Sequence, residues 1–363
     1  MAHDKFLRLF PPPHYLAPAA VGLDISDRSV KFVRLNYGPA GLRLIDYGDE
    51  AVPAGAVEAG EIKQPEVLAK VLLALSRRAR FRQVAVSLPE EEAYLVRLAL
   101  PLMDEADVRG SLELQLEEHI PLAVADTVFD YEIVSRGAKL EVAVTALPKR
   151  IVAAYAGVVA AGGLVAEAME IEAQAVVRAV VAQTSAAGDL VMVVDFGKTR
   201  TSFFVTRGRQ VLWTSTVNNI GGEDITHALE KTLGTDYNTA ERYKVERGFL
   251  PSAANRETFF AIVPLVSVLR DEINKQLSYW LTHQSATATS TNKIGRVILC
   301  GGQATLPGLV DYLNLSLGLP VALGNVWTNL FSLDEYIPSI NLNQSLRYAT
   351  SLGLALRRFH LTS

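Results

Sequence analysis

One short pattern is written twice in this chain, about half a chain length apart. Gly22-Leu23-Asp24-Ile25-Ser26 runs into the apolar segment 30–33, and Val193-Val194-Asp195-Phe196-Gly197 runs into 202–205. Each copy reads as an apolar strand ending in aspartate, a polar turn, and a returning strand. Aligned on their aspartates, the copies differ by about one turn residue, so the chain is read as two structurally similar halves. With 363 residues it is also too long for one compact core.

The elements between the copies fit that reading. Strands are expected at 21–26, 30–35 and 42–47, a helix at 66–79 and a strand at 83–88. The pattern then changes over 94–145, where a strand, an acidic helix near 107–119 and two alternating strands look like an inserted α+β unit. A helix over 149–161, ended by Gly162-Gly163, and a strand at 166–171 return to the main sheet. The second half opens with strands at 190–194 and 201–206, carries a long amphipathic helix over 259–281 and a polar loop at 285–293, and closes with a strand at 296–299, Gly301-Gly302 and a helix to 317. The expected organisation is an N-terminal extension at 1–20, a first lobe at 21–186 with an insertion at about 94–147, and a second lobe at 187–363 with a subdomain at about 235–295.

Composition removes several function classes. A net charge of -4, from 35 basic and 39 acidic residues, gives no electrostatic footprint for a nucleic-acid backbone. Cys300 is the sole cysteine and the six histidines are scattered, so neither a disulfide nor a protein-ligated transition metal is expected. The apolar run 151–166 is interrupted by Gly157, Gly162 and Gly163 and falls short of the ~20 residues that cross a bilayer. Pro11, Pro12 and Pro13 break any signal-peptide core, and a cytoplasmic protein is the reading that follows.

The paired turns are where chemistry concentrates. A tight hairpin aims successive backbone N–H groups at one point where phosphate oxygens can sit. Each charge-assisted hydrogen bond contributes roughly 1.5–3 kcal/mol, so a pair of turns can hold one polyphosphate where a single turn cannot. The hydroxyls of Ser29, Thr199 and Thr201 stand beside those amides. Taken alone, each turn is more simply an ordinary polar turn. Asp24 and Asp195 fit a hydrated Mg2+ held through water, and equally well a turn-initiating aspartate. Gly197-Lys198-Thr199 looks like the end of a Walker A loop, but the first glycine of that motif would fall at Met192, inside a strand. No Gly-x-Gly-x-x-Gly follows a strand either, which disfavours a Rossmann dinucleotide site. Gly221-Gly222 opens a helix where backbone can approach a ligand. Glu241 and Lys244, at i,i+3, can reach ribose hydroxyls or form an exposed ion pair.

In order along the chain stand Gly22-Leu23-Asp24-Ile25 with Ser29-Val30-Lys31, Glu118-His119-Ile120-Pro121, Phe129-Asp130-Tyr131 and Ala161-Gly162-Gly163-Leu164. They are followed by Gly221-Gly222-Glu223-Asp224-Ile225-Thr226, Ala240-Glu241-Arg242-Tyr243-Lys244, Asp271-Glu272-Ile273, Gly301-Gly302 with Leu306-Pro307-Gly308-Leu309, and Gly353-Leu354-Ala355-Leu356. This series resembles the nucleotide cleft of the actin, Hsp70 and sugar-kinase superfamily. More closely it is similar to the PilM family, actin-like proteins of type IV pilus assembly related to the division protein FtsA, over roughly residues 21–356.

The resemblance implies an α/β, actin-like (ribonuclease H-like) duplicated two-lobe ATPase fold with an SHS2-like inserted subdomain, and ATP with Mg2+ as cofactors. It implies phosphate contacts from Ser29 and Lys31 and from Gly197, Thr199 and Thr201, with Ser26 standing where the family has glycine. It implies ribose contacts from Glu241 and Lys244 and an adenine pocket near Gly301, Gly302 and Gln303, while Lys275-Gln276 replaces the family's Arg-Ser on the long helix. The implied partner is the cytoplasmic N-terminal tail of the membrane protein PilN, bound at the insertion and tethering the protein to the inner membrane, with pilus motor ATPases and further copies of the chain as other candidates. A nucleotide-set scaffold with slow or absent ATP hydrolysis is preferred. A small-molecule kinase or an FtsA-like division protein of the same superfamily stays open.

Overall fold

The computed structural model describes residues 19–38, 41–183, 189–282 and 293–360. The proposed extension up to residue 18, the polar loop over 285–292, the junction between the halves and the last three residues of the chain lie outside them.

The first half contains β1 (Ala20–Ile25), β2 (Ser29–Gly38), β3 (Gly41–Ala51), the short pair β4 (Val57–Glu58) and β5 (Glu61–Ile62), α1 (Pro65–Ala79) and β6 (Gln83–Leu88). β7 (Tyr94–Leu100), α2 (Glu105–His119), β8 (Thr127–Arg136) and β9 (Leu140–Pro148) follow, then α3 (Lys149–Ala161), β10 (Val165–Ile171) and α4 (Glu172–Val180). The second half holds β11 (Leu190–Phe196), β12 (Thr201–Arg207), β13 (Gln210–Val217), α5 (Gly222–Leu233), α6 (Tyr237–Glu246) and α7 (Arg256–Thr282). It ends with β14 (Ile294–Cys300), α8 (Leu309–Leu317), β15 (Val321–Leu323), α9 (Leu342–Ser345) and α10 (Ala349–His360).

The duplication is explicit in the sheets. One is ordered β10-β6-β1-β2-β3 and the other β15-β14-β11-β12-β13. In both, the central strand runs antiparallel to its hairpin partner and parallel to the strand on its other side. β1 and β11 are apolar nearly throughout, which suits strands covered on both faces. Register sets Asp24 opposite Lys31 and Asp195 opposite Ser202, so the two aspartates end equivalent strands. A single hydrophobic core runs through both sheets.

The segment between β6 and α3 forms its own three-stranded antiparallel sheet, ordered β7-β9-β8. Its separate core places Leu98, Leu100, Val142 and Val144 of the strands with Val108, Leu112 and Leu116 of α2. Those three helical residues, at i,i+4,i+8, are the buried face of α2.

Two helices absent from the sequence reading, α4 and α10, seal the centre of the molecule. Both are short: α4 opens on Glu172 and carries Arg178 in its last turn, and α10 carries Arg357 and Arg358 near its end. Their packing depends on two glycines. A Cβ on Gly22 of β1 would lie 1.8 Å from the Ser351 carbonyl oxygen of α10, and one on Gly353 would lie 1.8 Å from the Ala175 carbonyl oxygen of α4. Backbone meets backbone at both places, so no side-chain rotation relieves the clash. Gly353→Ala is therefore expected to destabilise the protein by at least the ~1–3 kcal/mol typical of overpacking, read as a lowered midpoint in urea unfolding; an unchanged midpoint contradicts this packing.

Candidate functional site

Both hairpin turns are closed the same way. The Ser26 amide donates to the Ser29 carbonyl and the Gly197 amide to the Arg200 carbonyl, each at 3.0 Å. In the first turn the Ser26 hydroxyl also donates to the Ser29 carbonyl at 2.9 Å, folding its extra atoms onto the turn. The Lys31 ammonium reaches back to Asp24 (3.2 Å) and Ser26 (3.4 Å), while Ser87 from β6 donates to the other Asp24 oxygen at 3.1 Å. In the second turn, α5 is the support. The amides of Gly222 and Glu223 donate to the carbonyls of Gly197 and Lys198, at 3.0 and 2.8 Å.

The turns border one cavity of about 930 Å³. Of the residues singled out in the sequence, Asp24, Ser26, Ser29, Lys31, Asp195, Gly197, Thr199, Glu241, Lys244, Gly301, Gly302 and Gln303 line it. Four do not. Thr201 is fully buried and its hydroxyl donates to the Ile220 carbonyl at 2.7 Å, so it fixes β12 to the α5 approach. Gly221 and Gly222 serve packing: a Cβ on the first would stand 2.6 Å from the Lys198 carbonyl oxygen, and one on the second 2.2 Å from the Gln303 side chain. Lys275 is mostly exposed on α7 and pairs with Glu272 at 3.1 Å, away from the cavity.

The Glu241 and Lys244 pair is not a surface ion pair. Lys244 is buried, donating to the Gly222 carbonyl (3.0 Å) and the Thr226 hydroxyl (2.9 Å), with Glu241 at 2.8 Å. Burial lowers its pKa while Glu241 opposes that shift. Lys244 thus pins the start of α5, leaving the half-exposed Glu241 carboxylate toward the cavity. Gly301, at φ +86°, turns the chain out of β14, and a Cβ there would fall 2.2 Å from the Asp195 carboxylate.

The sequence reading missed Arg28, Lys198, Glu172, Arg200 and Arg347, which also line the cavity. Arg200 matters most. It is buried, with Glu172 at 2.6 Å, Glu91 at 2.9 Å and Asp27 at 3.6 Å. Burial opposes its charge, and the carboxylates of Glu172, Glu91 and Asp27 outweigh that and hold the guanidinium protonated. Burial in turn pushes Glu172 and Glu91 above the usual carboxylate range, with Arg200 opposing. Asp27 also accepts from the Gly60 amide (3.2 Å) and the Thr199 hydroxyl (3.3 Å), so its charge is turned away from the cavity and spent on joining the turns. The available signals were a cation in each turn and the acidic triplet 90–92 directly after β6.

The lining suits a magnesium polyphosphate. Six cationic side chains, Arg28, Lys31, Lys198, Arg200, Lys244 and Arg347, face four carboxylates. Asp195 is pushed up to about 6 by burial and by the neighbouring Asp24 charge, a pair of acids that a cation would relieve. Asp24 and Asp195, one from each turn, are the carboxylates that could face such an ion through water.

Two similar lobes, paired turns and a cavity between them define an actin-like protein. The chain belongs to the family described as type IV pilus assembly protein PilM, whose profile matches residues 22–359. A solved PilM-PilN type IV pilus biogenesis complex is similar at 23% identity and TM-score 0.76, covering 93% of this chain and 98% of that one. The ethanolamine utilization protein EutJ of Carboxydothermus hydrogenoformans is similar at 17% identity and TM-score 0.57, over 95% of this chain and 91% of that chain. MreB5 of Spiroplasma citri bound to ADP follows at 12% and 0.53, over 95% and 97%. Cell division protein FtsA of Enterococcus faecalis is 28% identical over 172 residues, 41% of this chain and 39% of that protein. The chain thus spans about two fifths of the length of the curated relatives it matches. No described helix is long and apolar enough to cross a membrane.

Two outcomes check this geometry. Arg200→Ala leaves three buried carboxylates without their cation and is expected to lose about 3–5 kcal/mol in urea unfolding, with little rescue by lysine. Because the folded pKa of Asp195 lies above the unfolded value of ~3.9, its burial disfavours the folded state increasingly as pH rises through that interval. Asp195→Asn should then raise the melting temperature at about pH 8 and lose that advantage by about pH 4, and a pH-independent difference contradicts the assignment.

Proposed function

We propose that this chain is an ATP-binding, actin-like scaffold of type IV pilus assembly. The observation that carries the reading is the facing pair of turns on a cavity rich in cations. Asp24, Ser26, Ser29 and Lys31 on one side, with Asp195, Gly197 and Thr199 on the other, would hold the phosphates, and Asp24 and Asp195 would hold Mg2+ through water. Glu241 would meet the ribose and Gly301, Gly302 and Gln303 the base. Mg2+ supplies charge neutralisation to the phosphate chain; the residues themselves bind and orient. The neighbours crystallised with ADP and AMPPNP are the fold-level support for a nucleotide. We assign the nucleotide a structural role, setting how the lobes sit.

The partner we propose is the cytoplasmic N-terminal tail of PilN, by analogy with the complex of the similar protein. Its site is the inserted SHS2-like unit at about residues 94–147, which would place this otherwise cytoplasmic protein at the inner membrane. A physical route joins the two sites. Glu91, held by Arg200 of the second turn, lies just before β7, and Arg97 on β7 donates to Gln210 of the second lobe at 2.8 Å. A change in lobe spacing therefore pulls on the inserted sheet from both sides.

Isothermal titration of the PilN tail peptide into the protein with ATP, with ADP and with no nucleotide tests the reading. Tail affinity is expected to differ among the three states, by the several-fold typical of a coupling energy of about 1–3 kcal/mol. Equal affinities rule out the coupling, and absence of tail binding rules out the partner.

A further inference from the structure

Glu223 opens α5 and folds back over the first turn, outside the cavity lining. It accepts two hydrogen bonds from the Arg28 guanidinium, Nε to Oε1 at 3.0 Å and Nη2 to Oε2 at 2.9 Å, and it lies 3.6 Å from the Lys198 ammonium. Arg28 comes from the first turn and Lys198 from the second, and both line the cavity. One carboxylate thus occupies the cations at the tips of both turns.

This latch differs in kind from the Arg200 cluster. Arg28 and Lys198 are 36% and 44% exposed in their side chains, against 9% for Arg200. Ion pairs at such exposure add little net stability, and salt screens them. Glu223 holds the Arg28 pKa up, and Arg28 with Lys198 holds Glu223 low against its partial burial, so Arg28 and Glu223 face each other as an ion pair. A guanidinium offers the same fork to a phosphoryl group as to a carboxylate. Arg28 can therefore exchange Glu223 for a phosphate without moving its backbone.

We propose that Arg28 and Lys198 select the terminal phosphoryl group of a nucleoside triphosphate, with Glu223 as the internal anion it displaces. This rests on the nucleotide reading above and adds its specificity. A diphosphate, shorter by one phosphoryl group, leaves Glu223 on both cations; a triphosphate takes them and replaces a protein tie between the lobes by a ligand tie.

The test is titration of Mg·ATP and Mg·ADP into wild-type protein, Arg28→Ala, Glu223→Gln and the double variant, with melting curves recorded on each. Wild type should prefer ATP. Glu223→Gln should bind ATP about tenfold more tightly with ADP affinity unchanged, a gain that loss of folding cannot produce. Arg28→Ala should lose the preference, and the double variant should follow Arg28→Ala. An ATP-to-ADP ratio that is the same in all four proteins overturns the selector while leaving nucleotide binding in place. If wild type binds neither nucleotide, the site reading fails and the selector with it.

Discussion

The arrangement of this molecule depends on one buried guanidinium. Arg200 stands in the turn between β11 and β12, and the carboxylates around it come from the β1–β2 turn, the segment before the inserted sheet and the start of α4. Taking such a group out of water is costly unless close counter-charges replace its hydration. The second turn can be buried only where those carboxylates converge. That fixes how the lobes face each other, and so where the cavity lies.

Duplication then turns a structural necessity into a binding site. Each sheet ends its central strand in an aspartate because its register leads directly into a tight turn. Put face to face, two such ends concentrate amides, hydroxyls and cations on one space. They also bring two carboxylates close enough that burial and mutual repulsion raise the pKa of Asp195 to about 6. An arrangement that resists its own charge is one that a magnesium polyphosphate would relieve, and this is the physical content of reading the cleft as a nucleotide site.

Much of this was legible in the sequence, and the gaps have physical causes. The repeated strand-aspartate-turn pattern revealed two similar halves because each copy leaves a local signature, a continuous apolar run broken by an aspartate and a polar turn. The inserted unit showed itself by its change of pattern, and its helix as an acidic stretch near 107–119 whose buried face, Val108, Leu112 and Leu116, the fold then supplied. α4 and α10 were not read from the sequence, since each is short, at nine and twelve residues, and offers few turns over which a helical period can register. Lys31 and Gln303, singled out through resemblance, and Lys244, singled out by its spacing from Glu241, all line the cavity. Arg28, Lys198 and Arg200 were passed over because their partners, Glu223, Glu91 and Glu172, are remote in sequence, and a turn cation looks solvated until its counter-charge is seen. Thr201 and Lys275 do not line the cavity: the Thr201 hydroxyl is turned to the Ile220 carbonyl, and Lys275, where the chain already departs from the Arg-Ser of the resemblance, pairs with Glu272.

The central claim is that the two turns clasp one ligand together. Hydrogen exchange followed by mass spectrometry, with and without Mg·ATP, addresses it directly. Peptides covering residues 24–31 and 195–202 should gain protection together, with a single dependence on nucleotide concentration. Protection confined to one turn, or to neither while nucleotide is bound elsewhere, contradicts the account.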